Sequence, residues 1–76
     1  MKDDKKNDII RLVGERIKNL RHNQGISQEK LADLSGLHRS HMGQIERGES
    51  NVTLRTLWRV GNALEVAVVE LVKGIR

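Results

Sequence analysis

Apolar residues recur along the chain in steps of three and four, separated by short polar breaks that each hold a glycine or a capping side chain. Ile10, Val13, Ile17 and Leu20 make the first stripe, and it predicts a helix from about Asp8 to Gln24. Asn7 or Asp8 can cap it, and Gly25 ends it. Gly14 lies inside it at a cost of ~1 kcal/mol against Ala, which close approach of a neighbouring helix would explain. A second helix is expected from Gln28 to about Ser35, capped by Ser27, with Leu31, Ala32 and Leu34 facing inward. A third is expected from about Arg39 to Arg47, stopped by Gly48. Thr53 caps a fourth, about Leu54 to Leu64, with Leu54, Leu57, Trp58, Gly61 and Leu64 on one face. The stretch VAVVELV that follows is rich in Val and has strand propensity. Val68, Leu71, Val72 and Ile75 nevertheless fit a helical stripe, and no second strand exists to pair with it, so a fifth helix is expected from near Ala67. The fold class is therefore all-α: a flexible charged tail over residues 1–7, then a single domain over residues 8–76.

The second and third helices carry a more specific signal. Two short helices that cross steeply need a small side chain at the crossing, and Ala32 supplies it. The turn between them needs a residue that tolerates positive φ, and Gly36 supplies it. Leu31, Leu37, Met42 and Ile45 then make the apolar contact. This is a helix-turn-helix arrangement. On the other face of the third helix, Ser40, Gly43, Gln44 and Arg47 lie at i, i+3, i+4 and i+7, with Arg39 at the N-terminal end. In a major groove, Arg pairs bidentately with guanine and Gln with adenine. Gly43 would let the helix approach a base or the sugar-phosphate wall. An ordinary solvated helix face is the simpler alternative, but it seldom carries a mid-helix glycine and no Lys or Glu. Gln28, in the first turn of the second helix, could bond a phosphate there.

Composition narrows the partner. The formal charge is +4 and the pI is about 10.0, which favours an anionic partner, nucleic acid first. With one Trp and no Phe or Tyr, an aromatic platform for single-stranded bases is not expected. There is no cysteine, so disulfides and thiolate metal sites are excluded. His38 and His41 stand at i, i+3 but lack a third ligand nearby, so no metal is expected. No glycine-rich phosphate loop, nucleophile–base pair or spaced carboxylate set points to an enzyme, and no cofactor is expected. No apolar run reaches the ~20 residues of a membrane span, and the charged N-terminus lacks a secretory signal. A cytoplasmic location without membrane contact is expected. A chain this short buries only roughly 60% of its unfolded surface, so self-association would add stability.

The run RLVGERIKNLRHNQGISQEKLADLSGLHRSHMGQIERGESNVTLRTLWRVGNAL resembles the phage repressor and Cro type of five-helix DNA-binding domain. Through GISQEKLADLSGLHRS and IERGESNVTL it looks most like the controller proteins of bacterial restriction–modification systems. The resemblance covers about residues 10 to 72. It implies base contacts by His38, Arg39, Ser40 and Gln44. It implies phosphate or flanking-backbone contacts by Gln28, Arg47, Ser50, Asn51 and Thr53. Arg21 and Glu46 match a partly buried ion pair that fixes the recognition helix. Leu64, Val66, Val69, Leu71 and Val72 match a homodimer interface. Glu29 and Asp33 match a candidate contact with RNA polymerase. The chain departs from the family pattern at two helix starts, where His38 and Ala67 replace better capping residues.

These readings converge on a sequence-specific transcriptional regulator. It is expected to bind a near-palindromic double-stranded operator as a homodimer and to control restriction–modification genes as a repressor or activator. The alternatives are an antitoxin-type autorepressor that also binds a toxin, and a small phage-type repressor.

Overall fold

Three of the predicted helix starts are decided by a local bond. In the computed structural model, which describes residues 8–76, α1 spans Ile9–Asn23, and the Asp8 carboxylate accepts the Ile10 N–H at 2.7 Å. The N-terminal tail of the sequence reading lies outside the described residues. Ser27 caps α2, Gln28–Ser35, by accepting the Lys30 N–H at 3.0 Å. Thr53 caps α4, Leu54–Ala63, through the Thr56 N–H at 3.1 Å. Such side-chain oxygens satisfy donors that the helix itself leaves open. The other two helices, α3 over Arg39–Glu46 and α5 over Val68–Val72, begin at His38 and Ala67 without a side-chain cap. Their placement depends on packing instead. Among the described residues there is no strand.

Gly36 takes φ +70°, and the Leu37 N–H returns to the Ala32 carbonyl at 2.9 Å. The chain thereby reverses within two residues and lays α3 across α2. The core comprises Val13 and Ile17 of α1, Leu31 and Ala32 of α2, Met42 and Ile45 of α3, Leu57 and Val60 of α4, then Leu64 and Leu71. Leu20, Ile26, Leu37, Val52 and Val68 close over it. The mid-helix Gly14 has a packing cause: a Cβ there would run into the Ile45 carbonyl oxygen, with the Glu46 carbonyl oxygen 3.2 Å away. The backbones of α1 and α3 therefore meet without a side chain between them.

Two polar clamps fix the ends of the bundle. The Arg16 guanidinium on α1 donates to the Glu70 carbonyl at 2.7 Å and to the Lys73 carbonyl at 2.8 Å. These oxygens lie at the C-terminal end of α5, where a cation is favoured. Gln24 Nε2 donates to the Leu64 carbonyl at 2.7 Å, at the end of α4.

Several expected placements change. Leu34 is 52% exposed rather than inward-facing, and of the face expected to carry Leu54, Leu57, Trp58, Gly61 and Leu64, Leu54 and Trp58 are 76% and 55% exposed. The stripes have the predicted spacing, but neighbouring helices cover only part of each. Leu64 and Leu71, expected at a dimer interface, are 0% exposed inside the single chain. Their side chains complete the core, so no partner can reach them.

Candidate nucleic-acid interface

The third helix is held from beneath by a buried charge pair. Arg21 Nε donates to Glu46 Oε2 at 2.7 Å and Arg21 Nη2 to Glu46 Oε1 at 3.0 Å. The two side chains are 9% and 2% exposed. Arg21 Nη1 also donates to the Ile26 carbonyl at 3.0 Å. This parallel, two-bond geometry fixes the relative angle of α1 and α3 as well as their distance. Removing either partner strands a buried charge, at a typical cost of ~3–5 kcal/mol. Although both residues are charged, neither is on the accessible face.

That face carries His38, Arg39, Ser40, Gln44 and Arg47, all exposed. Arg39, Ser40, Gln44 and Arg47 follow the helical repeat, so they project from one side of α3. Their donors and acceptors suit base edges and phosphates. Two of the cations already have loose partners. Arg39 Nη1 lies 3.7 Å from Glu29 Oε2, and Arg47 Nη2 lies 3.1 Å from Glu49 Oε1. All four groups are more than half exposed, so each pair is weak and readily exchanged.

Gly43 does not sit on the open stripe. It is buried, and its missing side chain makes room for Gln28 and Arg47. A Cβ there would stand 3.0 Å from Arg47 Nη1 and 3.4 Å from Gln28 Oε1. Gln28 itself is half-buried and donates from Nε2 to Glu46 Oε1 at 3.1 Å. The ion pair, the first turn of α2 and the recognition helix are thus one connected polar network.

The remaining candidates divide. Asn51 is exposed. Ser50 is half-buried, and its hydroxyl lies 3.3 Å from His41 Nε2. The Thr53 hydroxyl is committed to its own helix, accepting from the Thr56 N–H and donating to Thr56 Oγ1 at 3.1 Å. Glu29 and Asp33 are exposed on the outer side of α2 and share a shallow depression with His38, Arg39 and Ser40. Arg55 is exposed in the first turn of α4.

Comparison with known proteins agrees with this geometry. The helix-turn-helix family profile matches residues 17–71. The control protein C.SmaI of Serratia marcescens is 44% identical over 64 residues, spanning 84% of this chain and 76% of that protein. The control protein C.BamHI of Bacillus amyloliquefaciens is 39% identical over 61 residues, spanning 79% and 75%. The crystal structure of the restriction–modification controller protein C.AhdI from Aeromonas hydrophila superposes with a TM-score of 0.79 at 44% identity, covering 84% of this chain and 96% of that one. The chain belongs to the helix-turn-helix family of DNA-binding transcriptional regulators, not to an enzyme class.

Proposed function

We propose that the protein is a homodimeric regulator of restriction–modification gene expression that acts in the cytoplasm and reads a near-palindromic operator with α3. The observation that carries this reading is the exposed row Arg39, Ser40 and Gln44 on a helix anchored by the buried Arg21–Glu46 pair. Similarity to C.SmaI and C.AhdI, a control protein and a restriction–modification controller, supports the regulatory role. Arg39 and Gln44 pair with guanine and adenine, and Ser40 and His38 contact neighbouring base edges. Gln28 and Arg47 bind phosphate. Arg55 adds a contact from α4, and Ser50, Asn51 and the backbone at Thr53 border the flanking strand.

Two copies of α3 enter successive major grooves ~34 Å apart on one face of the duplex. The apolar surface left over by the fold provides the partner contact. Leu54, Trp58 and Val69 are exposed, Val66 and Val72 are half-buried, and Leu54, Trp58 and Val68 line one depression. Glu29 and Asp33 are exposed on the outer side of α2, with Glu29 beside Arg39, where they would face RNA polymerase bound beside the operator. In a reporter strain, Glu29→Ala with Asp33→Ala should remove activation and keep operator binding.

Selection of bound duplexes from a random library by the full chain should return a near-palindrome. Affinity for that duplex should fall steeply with salt, because neutralising phosphates releases counterions. Affinity unchanged across a tenfold range of salt, or no enriched sequence, would rule the reading out.

A further inference from the structure

We propose that Arg16 is a positioning residue that sets the half-site spacing the dimer accepts, acting through α5 without touching DNA. This rests on the reading of the protein as a homodimer on a near-palindromic operator. α5 cannot hold its own direction. It has five residues and starts at Ala67 without a side-chain cap, and a helix of that length is not stable alone. Its N-terminal end is set by α4. A Cβ at Gly61 would stand 3.0 Å from the Val66 carbonyl oxygen and 3.6 Å from Leu71 Cδ1, so the chain meets α4 closely there. Toward its other end, Leu71 enters the core, and Val72 and Ile75 pack against it. Apolar burial is non-directional: it fixes how deep α5 lies, not where it points. The directional hold is Arg16 on α1. Its Nη1 and Nη2 donate to the Glu70 and Lys73 carbonyls at 2.7 and 2.8 Å. Two bonds from one planar guanidinium fix an angle as well as a distance.

The same α1 orients the DNA-reading helix. Arg21, on α1 with Arg16, holds Glu46 of α3, and Gly14 lets the α3 backbone lie against α1. At the helical rise, Arg16 and Arg21 stand ~7.5 Å apart along one stiff axis. One helix therefore carries both the residue that orients α3 and the residue that orients α5, with its exposed Val69. In a two-fold dimer, a turn of α5 relative to α1 occurs in both copies, so its effect on the vector between the two α3 helices is doubled. An operator tests that vector strictly. One inserted base pair moves a half-site by ~3.4 Å and rotates it by about 35°. Arg16 thus confers specificity through geometry rather than contact.

The test uses the full chain, a duplex recovered by selection from a random library, the same duplex with one base pair inserted between its half-sites, and a duplex with a single half-site. Binding is measured at concentrations where sedimentation shows dimers. The wild type should lose about a hundredfold on the lengthened duplex, because only one half-site can be engaged at a time. In Arg16→Ala the ratio between native and lengthened spacing should shrink by about tenfold, with affinity for the single half-site unchanged. A general loss of stability would lower all three affinities together and leave the ratio intact. Arg16→Lys, a point charge in place of a fork, should give an intermediate ratio, and it carries the comparison if Arg16→Ala does not fold. A wild-type ratio in both variants, or in Arg16→Lys where it alone folds, would overturn the inference. So would an Arg16→Ala chain that folds but is monomeric at every concentration, since its loss would then lie in the contact and not in its direction. If the wild type itself bound both spacings alike, the dimeric reading of the operator would fail first.

Discussion

Glu65 follows α4 with φ +60°, the one non-glycine residue at positive φ among the described residues. A side chain in that conformation costs roughly 1–2 kcal/mol, and Glu65 is exposed. Glu65→Gly should therefore raise stability by about 1 kcal/mol in chemical denaturation, and an unchanged midpoint would show that the turn is not strained. Arg39 illustrates a different residue-scale balance. On the proposed reading, its weak exposed pair with Glu29 is given up for a guanine edge. Arg39→Ala should cost about 1–3 kcal/mol in operator binding and relax preference at one base pair. A loss that is the same on every duplex would make Arg39 a phosphate contact instead. The shared exposed face of Arg39, Ser40 and Gln44 was readable from spacing. The link from Gln28 to Glu46 was not, because 18 positions separate the partners in the chain.

At the scale of elements, what sets the helices is local and what sets their angles is not. Ser27 and Thr53 were legible as caps because a cap bonds an N–H three residues on. Gly36 was legible as the turn because few residues accept its φ. The burial of each stripe was less legible, since periodicity gives spacing but not how far a neighbour reaches. Leu34 was misplaced for that reason. Gly14 shows how the two levels compete. Gly14→Ala favours α1 by ~1 kcal/mol through helix propensity, yet its Cβ would strike the Ile45 carbonyl of α3. Backbone cannot move aside as a side-chain end can. We expect a net loss of about 1–3 kcal/mol, as for other overpacked sites, together with weaker DNA binding as α3 shifts. A higher melting temperature for Gly14→Ala would show that α1 and α3 can separate without cost.

At the scale of the whole molecule, the division between core and surplus apolar surface matters most. Leu71 is fully buried, whereas its neighbour two residues away, Val69, is 57% exposed. Val69→Asp should leave the chain folded and give monomers in sedimentation, with weaker operator binding. Leu71→Asp should unfold it, because a charge would enter the core. A folded Leu71→Asp chain would contradict the placement of α5, and a Val69→Asp chain that remained dimeric would move the contact elsewhere. The exposed Leu54 and Trp58 are large apolar side chains, which fits a small domain that gains stability from a second copy.

The sequence by itself determined the all-helical class, the helix starts at Ser27 and Thr53, and the reversal at Gly36. It also presented Arg39, Ser40 and Gln44 as one stripe. All of these follow from interactions within a few residues of each other or from a single helical period. Tertiary structure alone decided that Leu64 and Leu71 are core, that Leu54, Trp58 and Val69 remain uncovered, and that Gly43 is enclosed by Gln28 and Arg47. Each depends on how closely one helix approaches another. That distance is set by the summed packing of α1, α3 and α5, with Gly14 and the Arg21–Glu46 pair fixing it at the recognition helix.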